Sequence, residues 1–340
     1  MTAIPDEWSP GPPIDQPLNL GVVGCGWVAK AAHLPAIALL QAHGWPIRVG
    51  AVCDTDAARR AAAAERFDDA RQCENIDALL ATGVDAVLAL APPSACPALC
   101  RACMDAERPV LVEKPVSYDA GELTRLAGEV EQRGAVVEVA YNRRHQPGLA
   151  RLREAGALDW PIDHVLARMW RVNRRQEDFY PGTIVHVVDL LLHLFGPMEV
   201  AEVHTGPLLS GTSIASWVRA ELRAGAGAGA GGEVTLDVRP TAGRELETLE
   251  FVGDGHAATI AYALAGWDGP VAEAYADGRP QLALSKRGDD GGGDVYLRGF
   301  VNQLAAFAHR VRHAAGPTCT VRDALHTRQL CDALVPPPSP

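Results

Sequence analysis

Residues 18–29 read Leu18-Asn19-Leu20-Gly21-Val22-Val23-Gly24-Cys25-Gly26-Trp27-Val28-Ala29, and this stretch decides the fold. The first six residues are a short, mostly apolar run, the pattern of a buried strand. The next six fit G-x-G-x-x-A, and a helical pattern runs from Val28 to Leu40, with Pro35 a kink or first-turn break. Gly24 permits the tight turn and Gly26 lets a pyrophosphate approach the backbone. Ala29 lets helix and strand pack closely, and phosphate charge meets the helix N-terminus. Alone, such a match also describes an ordinary strand–helix turn. A second sign supports it: Asp54 closes the apolar run Ile47–Cys53. A carboxylate there accepts ribose hydroxyls and repels a 2′-phosphate, which favours NAD. Arg59 and Arg60 keep NADP open, and the alternative for Asp54 is a helix N-cap.

Working outward, strands and helices alternate. Helical patterns cover 57–67, 96–107 and 120–133; strand patterns cover 84–90, 109–112 and 136–140. That rhythm predicts an α/β domain, a doubly wound Rossmann sheet of parallel strands covered on both faces. Past about residue 145 the rhythm changes. Strand-like segments at 164–172, 199–204, 213–223, 233–238, 245–252 and 257–263 follow, with helices at 183–195, 296–315 and 321–334. They predict an α+β domain with an open, mixed and largely antiparallel sheet. The expected organisation is a disordered tail at 1–17, a Rossmann nucleotide-binding domain at 18–145, a substrate and oligomerisation domain at 146–335, and a tail at 336–340. The Ala/Gly run 224–232 and the segment 286–294 read as mobile loops.

Net charge is −11, with 48% apolar and 21% charged residues. This is a globular composition that argues against a nucleic-acid or anionic-membrane partner. The start carries no signal-peptide pattern, and no run approaches the roughly 18 apolar residues of a membrane span. Eight cysteines without regular pairing fit a reducing cytoplasm. Cys96, Cys100 and Cys103 have an iron–sulfur-like spacing, but the same spacing is one face of a helix, and buried cysteines behave as small apolar residues. No metal is expected.

The tripeptide Glu113-Lys114-Pro115 follows Val110-Leu111-Val112, where a buried strand ends. Only three of the 31 basic Lys and Arg residues are lysines: Lys30, Lys114 and Lys286. A chain that places Arg wherever it needs only charge has kept Lys at this strand end. An ammonium can lose its proton, whereas a guanidinium stays charged.

Together these motifs resemble the Gfo/Idh/MocA oxidoreductases. The resemblance rests on Gly24-Cys25-Gly26-Trp27, His33-Leu34-Pro35, Cys53-Asp54, Ala91-Pro92-Pro93, Glu113-Lys114-Pro115, Tyr141-Asn142-Arg143-Arg144 and His186-Val187-Val188-Asp189, in order over residues 18–335. It implies hydride transfer between nicotinamide and a secondary alcohol or ketone of a sugar, nucleotide-sugar or cyclitol. It implies cofactor contacts at Gly24, Gly26, Trp27, Val28, Asp54, Ala91, Pro92, Glu113 and Lys114. It implies that Lys114, which reaches the reacting hydroxyl, and His186 act as the acid/base pair, His186 suited by its near-neutral pKa, with Asp189 as a third catalytic residue. Pro115 is expected to be capable of a cis bond.

One position departs from the family pattern. A carboxylate common one turn before the histidine is Gly182 here, and Asp189 or Asp178 is the candidate replacement. Substrate contacts are expected from Lys114, Tyr141, Arg144, Arg174, Tyr180 and His186, with Arg143, Trp170, Asn173 and Arg175 nearby in sequence. The arginines can equally be solvated or cofactor-bound. Two other readings stand beside the dehydrogenase: reduction of a C=N or C=C bond with His186 or Tyr141 as proton donor, and a dinucleotide-binding regulator without turnover. A homodimer or homotetramer through the open sheet is expected, because an uncovered face calls for burial.

Overall fold

The strand opened by Leu18 lies inside a parallel sheet, with a parallel neighbour on each side. The computed structural model describes residues 10–174, 178–206, 217–224, 232–262, 267, 269–285 and 293–335. In the first part of the chain β1 (Leu18–Val23), α1 (Leu34–Ala42), β2 (Ile47–Cys53), α2 (Ala57–Ala64), β3 (Arg71–Cys73), α3 (Ile76–Leu80), β4 (Ala86–Ala89), α4 (Cys96–Asp105), β5 (Val110–Val112), α5 (Ala120–Arg133) and β6 (Val137–Val139) alternate. The sheet order is β3-β2-β1-β4-β5-β6 with every pair parallel, the doubly wound order in which ligands bind beyond the strands' carboxyl ends. Short β3 and α3 were not expected from sequence; three residues give too little period to read.

Helix starts follow the cap chemistry. Asp56 caps α2, its Oδ1 accepting the N–H of Ala58 at 2.9 Å and of Arg59 at 3.1 Å. Asp119 caps α5, which ends on Gly134 at φ 61°. Cys96, Cys100 and Cys103 lie on α4 with no solvent exposure, so their spacing is that of an inward helix face.

The second part begins with α6 (Pro147–Glu154), then β7 (His164–Trp170), α7 (Val185–Phe195), β8 (Met198–Gly206), β9 (Trp217–Ala224), β10 (Glu233–Arg239), β11 (Leu246–Gly253), β12 (His256–Ala261), β13 (Pro270–Ala276) and β14 (Arg279–Ser285). These strands form an eight-stranded sheet, β14-β13-β12-β11-β7-β10-β9-β8. Only β7 and β10 pair in parallel, so the sheet is mixed and largely antiparallel. Val165, Ala167 and Met169 of β7 are buried on one face. The opposite face carries cross-strand polar pairs: Arg168 to Glu250 at 3.0 Å, Trp170 to Asp237 at 2.7 Å and Thr235 to Glu221 at 2.8 Å. The β13–β14 hairpin is absent from the sequence reading. Its turn is Asp277-Gly278, with φ values of 46° and 72°, the dipeptide that best tolerates a left-handed hairpin turn.

The chain closes with α8 (Gly293–Leu297), α9 (Phe300–His313) and α10 (Val321–Leu334). Two compact units result: residues 1–142 with 290–325, and 143–289 with 326–340. The first unit thus includes α8 and α9, which the sequence reading had placed with the second domain. A buried charge explains the difference. Glu138 sits in edge strand β6 with no exposure, and a buried carboxylate demands a partner. Arg310 of α9 supplies it through two hydrogen bonds, one of 2.7 Å and a shorter one. The Val139 N–H adds a bond to the Cys319 carbonyl at 2.9 Å.

Residues 10–17, expected to be disordered, also pack on this unit. Ile14 is buried, the Pro12 carbonyl lies 2.9 Å from His309 Nε2, and the Pro17 carbonyl accepts from Arg312. The loop readings at 225–231 and 286–292, and the tails at 1–9 and 336–340, lie outside the described residues. Among the described residues no helix is long and apolar enough to cross a membrane.

Candidate active site

Hydrogen bonds between neighbouring strand ends bring the first unit's candidates to one sheet edge. Gly24 N–H donates to the Cys53 carbonyl at 2.8 Å, Leu90 N–H to Val23 at 2.7 Å, and Glu113 N–H to Ala89 at 2.9 Å. The glycine loop, Asp54, Ala91-Pro92 and Glu113-Lys114 therefore line the same carboxyl-end border.

The loop is shaped for a dinucleotide. Gly24 has φ 89°, and a Cβ there would fall 2.6 Å from the Leu90 carbonyl oxygen, so only glycine fits. At Gly26 a Cβ would meet nothing within 4 Å, which leaves open space against the backbone where a phosphate approaches. Ala29 is fully buried, as close helix–sheet packing requires. Trp27 and Val28 open the helix, and Trp27 is 76% exposed. Asp54 is not the N-cap; Asp56 has that role. Asp54 instead accepts Cys25 N–H at 2.7 Å through Oδ2 and Asp56 N–H at 2.8 Å through Oδ1. Each oxygen keeps a second lone pair for a ribose hydroxyl.

Arg60 folds beneath this strand end, Nη1 donating to the Asp54 carbonyl at 2.7 Å. Arg59 lies against Asp56 at 3.4 Å. Burial, then the Asp54 charge, pushes the Cys25 thiol up to about 12, so it is no nucleophile. The residues present fit a nicotinamide dinucleotide.

Glu113 is the buried hinge of this edge. Its Oε1 lies 2.8 Å from His33 Nε2 and its Oε2 accepts Lys114's own N–H at 3.0 Å. Burial alone would raise the Glu113 carboxyl; the His33 hydrogen bond and charge, with Lys114, outweigh it and hold the group below its usual range. His33 arrives on a π turn, Ala29–His33, just before Pro35. The Lys114–Pro115 bond is cis. His33 had no role in the reading from residues. Its sequence signal was the His33-Leu34-Pro35 motif, which carried no assigned role.

In the second unit His186 and Asp189 lie on α7, which follows a π turn, Tyr180–Ile184, that includes Pro181. Gly182 N–H donates to the exposed Asp178's carbonyl at 2.7 Å. His186 is 7% exposed and Asp189 fully buried. Burial pushes the Tyr180 hydroxyl above its ordinary range.

The structure changes the reading of several site residues. Asp189 is gripped by Arg144, Nε to Oδ2 at 2.9 Å and Nη2 to Oδ1 at 2.6 Å, a buried ion pair. Arg143 likewise forks onto buried Glu247, at 2.8 and 3.1 Å, and its guanidinium lies 3.7 Å from the Tyr262 ring centre. Arg171 grips the same carboxylate. Arg143 and Arg144 are therefore buried ion-pair partners rather than solvated side chains. Arg174 is exposed, with Nη2 3.2 Å from Thr183 Oγ1, and Trp170 bonds across the sheet to Asp237. Tyr141, in the first unit, is buried. Arg175 lies outside the described residues. The Arg143–Glu247–Arg171 cluster was not foreseen; its members are far apart in sequence.

The fold and glycine loop define a dinucleotide-binding protein of the Rossmann class. Residues 18–141 match the Gfo/Idh/MocA oxidoreductase family model, an NAD-binding Rossmann fold. Inositol 2-dehydrogenase 1 of Saccharopolyspora erythraea is 36% identical over 151 residues, 43% of this chain and 44% of that protein. UDP-N-acetylglucosamine 3-dehydrogenase of Acidithiobacillus ferrooxidans is 29% identical over 189 residues, 55% of this chain and 58% of that protein. Its crystal structure superposes with a TM-score of 0.74 at 20% identity, over 93% of this chain and 96% of that one. A 3-ketoreductase from Actinomadura kijaniata, in complex with NADP and TDP-benzene, gives 0.71 at 20% identity, over 94% and 97%. The sequence matches span about half the length of these curated relatives. The structural likenesses extend the shared fold over nearly the whole chain.

Proposed function

We propose that this protein is an NAD(P)-dependent oxidoreductase moving hydride between nicotinamide and a secondary alcohol or ketone of a cyclitol, sugar or nucleotide-sugar. The observation that carries the reading is Glu113-Lys114 on the sheet edge that also holds Gly24, Gly26 and Asp54. The relatives' names, inositol and UDP-sugar dehydrogenases among them, support the substrate class.

The nicotinamide supplies or accepts the hydride. Lys114, as an ammonium, stabilises negative charge developing on the substrate oxygen. His186 takes the alcohol proton in oxidation and returns it in reduction. Asp54 holds the ribose hydroxyls and favours NAD over NADP. The polar outward face of the eight-stranded sheet joins two copies, which light scattering at micromolar concentration checks; a monomer contradicts it.

The test is turnover of NADH and NADPH with a panel of inososes and keto-sugars. Turnover lost on Lys114→Ala and on His186→Ala supports the reading; nucleotide binding without turnover across the panel overturns it. One observation favours that second outcome, a dinucleotide-binding regulator: the position one turn before His186 is Gly182, which offers no carboxylate.

A further inference from the structure

Arg174 lacks a carboxylate in a region where other arginines have one. In the second unit Arg143 and Arg171 share Glu247, and Arg144 holds Asp189. Arg174 is exposed, its Nη2 donates to Thr183 Oγ1 at 3.2 Å, and among the described residues it forms no ion pair. The backbone beneath it is fixed. Arg171 N–H donates to the Arg239 carbonyl at 2.7 Å, Ala242 N–H to the Arg171 carbonyl at 2.7 Å and Arg174 N–H to the Pro240 carbonyl at 2.9 Å. Asn173 has φ 55°, a left-handed conformation that turns the chain after β7. Thr183 is buried inside the π turn that leads into α7. The guanidinium is therefore anchored at its root and at its tip. Thr183 and His186 stand at i and i+3, the spacing of neighbours on a helix surface. A cation there does nothing for the helix. The start of a helical run carries positive partial charge, and neither the π turn nor α7 has an acidic residue in its first turn. Asp178, just ahead, is exposed and forms no ion pair with Arg174.

We propose that Arg174 is a specificity-determining residue that binds an anionic group of the substrate, a phosphate or a carboxylate, so that the protein selects charged sugar derivatives over neutral sugars and cyclitols. This rests on the reading of His186 as the acid/base of a sugar or cyclitol oxidoreductase. A guanidinium takes either anion through two parallel N–H···O bonds, and its planar fork fixes the orientation of the bound group as well as neutralising it. Thr183 uses one N–H and leaves the others open to a ligand. Anchoring before binding reduces the side-chain entropy lost when the ligand arrives. A neutral cyclitol gains no such pairing of opposite charges from the same guanidinium.

The test is a series matched on one ring: glucose, glucuronate, glucose 1-phosphate and UDP-glucose, with myo-inositol as a neutral cyclitol. Each is titrated calorimetrically into protein saturated with NAD. At least one anionic member is expected to bind about 10–100-fold tighter than glucose and myo-inositol, and to weaken as salt is raised. Preference for glucuronate identifies a carboxylate; preference for glucose 1-phosphate or UDP-glucose identifies a phosphate. Arg174→Gln is expected to bring the anionic and neutral affinities within about threefold of each other, and Arg174→Lys to recover part of the difference, because a point charge replaces a fork. A neutral ligand that binds as tightly as every anionic one overturns the proposal. So does an anionic preference that survives Arg174→Gln, or a series in which nothing binds at millimolar concentration. Binding is read without turnover. A protein that prefers the anion through Arg174 but transfers no hydride therefore contradicts the oxidoreductase reading and leaves the assignment of Arg174 standing. Where a ketone carrying the preferred anion does turn over, the loss in Arg174→Gln falls on KM rather than on kcat.

Discussion

Lys114 and His186 stand at the two candidate halves of the chemistry, and their surroundings use one local device to different ends. Each has a helix entered through a π turn beside a proline, Ala29–His33 before Pro35 and Tyr180–Ile184 around Pro181. Proline has no N–H to give, so the helical ladder slips a register there and the next side chains are re-aimed. In the first unit His33 backs a buried carboxylate that accepts the main-chain N–H of Lys114. In the second, the buried polar groups near the helix close on one another, Asp189 with Arg144 and Glu247 with Arg143 and Arg171. The nucleotide edge keeps hydrogen-bonding capacity for a ligand, while in the second unit Arg143, Arg144 and Arg171 are paired with buried carboxylates.

The largest effect that can break this comparison is at Lys114. Lys114→Ala is expected to lower kcat about 10³-fold, and Lys114→Arg not to restore it, because a planar fork replaces a compact ammonium. Steady-state kinetics with the best ketone of the panel reads this. A Lys114→Arg variant near wild-type rate would mean that charge alone suffices.

Next is Arg144→Ala, which leaves the Asp189 carboxylate buried without its guanidinium. It is expected to cost about 3–5 kcal/mol in denaturant unfolding, whereas the paired change Arg144→Met with Asp189→Leu costs much less. If Asp189 instead serves His186, Asp189→Asn reduces kcat at unchanged stability, and the contrast between the two units is wrong.

Acid sharpens the same point. Burial raises the Glu247 carboxyl, but the charges of Arg143 and Arg171 outweigh it and bring it down to about 2 from an ordinary 4.5. A depressed carboxylate contributes stability that is fully present above its unfolded value and is lost as pH falls through the folded one. The second unit therefore gives up on the order of 3 kcal/mol between about pH 4.5 and about pH 2. Thermal unfolding followed down that range checks it; a flat melting temperature contradicts the buried cluster. The smallest effect is at Asp54. Asp54→Ser removes charge-assisted bonds to the ribose and should shift preference about 10–100-fold toward NADP, measured as the ratio of kcat/KM for the two cofactors.

What could be read in advance follows the range of the interactions. The nucleotide edge was legible because Gly24, Gly26, Asp54 and Glu113-Lys114 each announce a local geometry within a few residues of a strand end. α5 and α10 were legible to the residue from their period. The polar interior of the second unit was not, since Arg143 meets Glu247 across 104 residues and Arg144 meets Asp189 across 45. Glu138 was a missed clue. A lone carboxylate inside Val137-Glu138-Val139 signals a partner from elsewhere, and that partner, Arg310, draws α9 onto the first unit. Asp277-Gly278 was another, a short hairpin signal that identifies the two edge strands beside it.

The central claim is hydride transfer at the edge that carries Lys114. Its most direct measurement is isotopic: NADH deuterated on each face of nicotinamide C4 in turn, incubated with a keto-cyclitol or keto-sugar, and the product examined by NMR. The account predicts deuterium from one face only, bonded to the carbinol carbon of the product, and none with Lys114→Ala. Tight NADH binding with no deuterium in any product of the panel would contradict it.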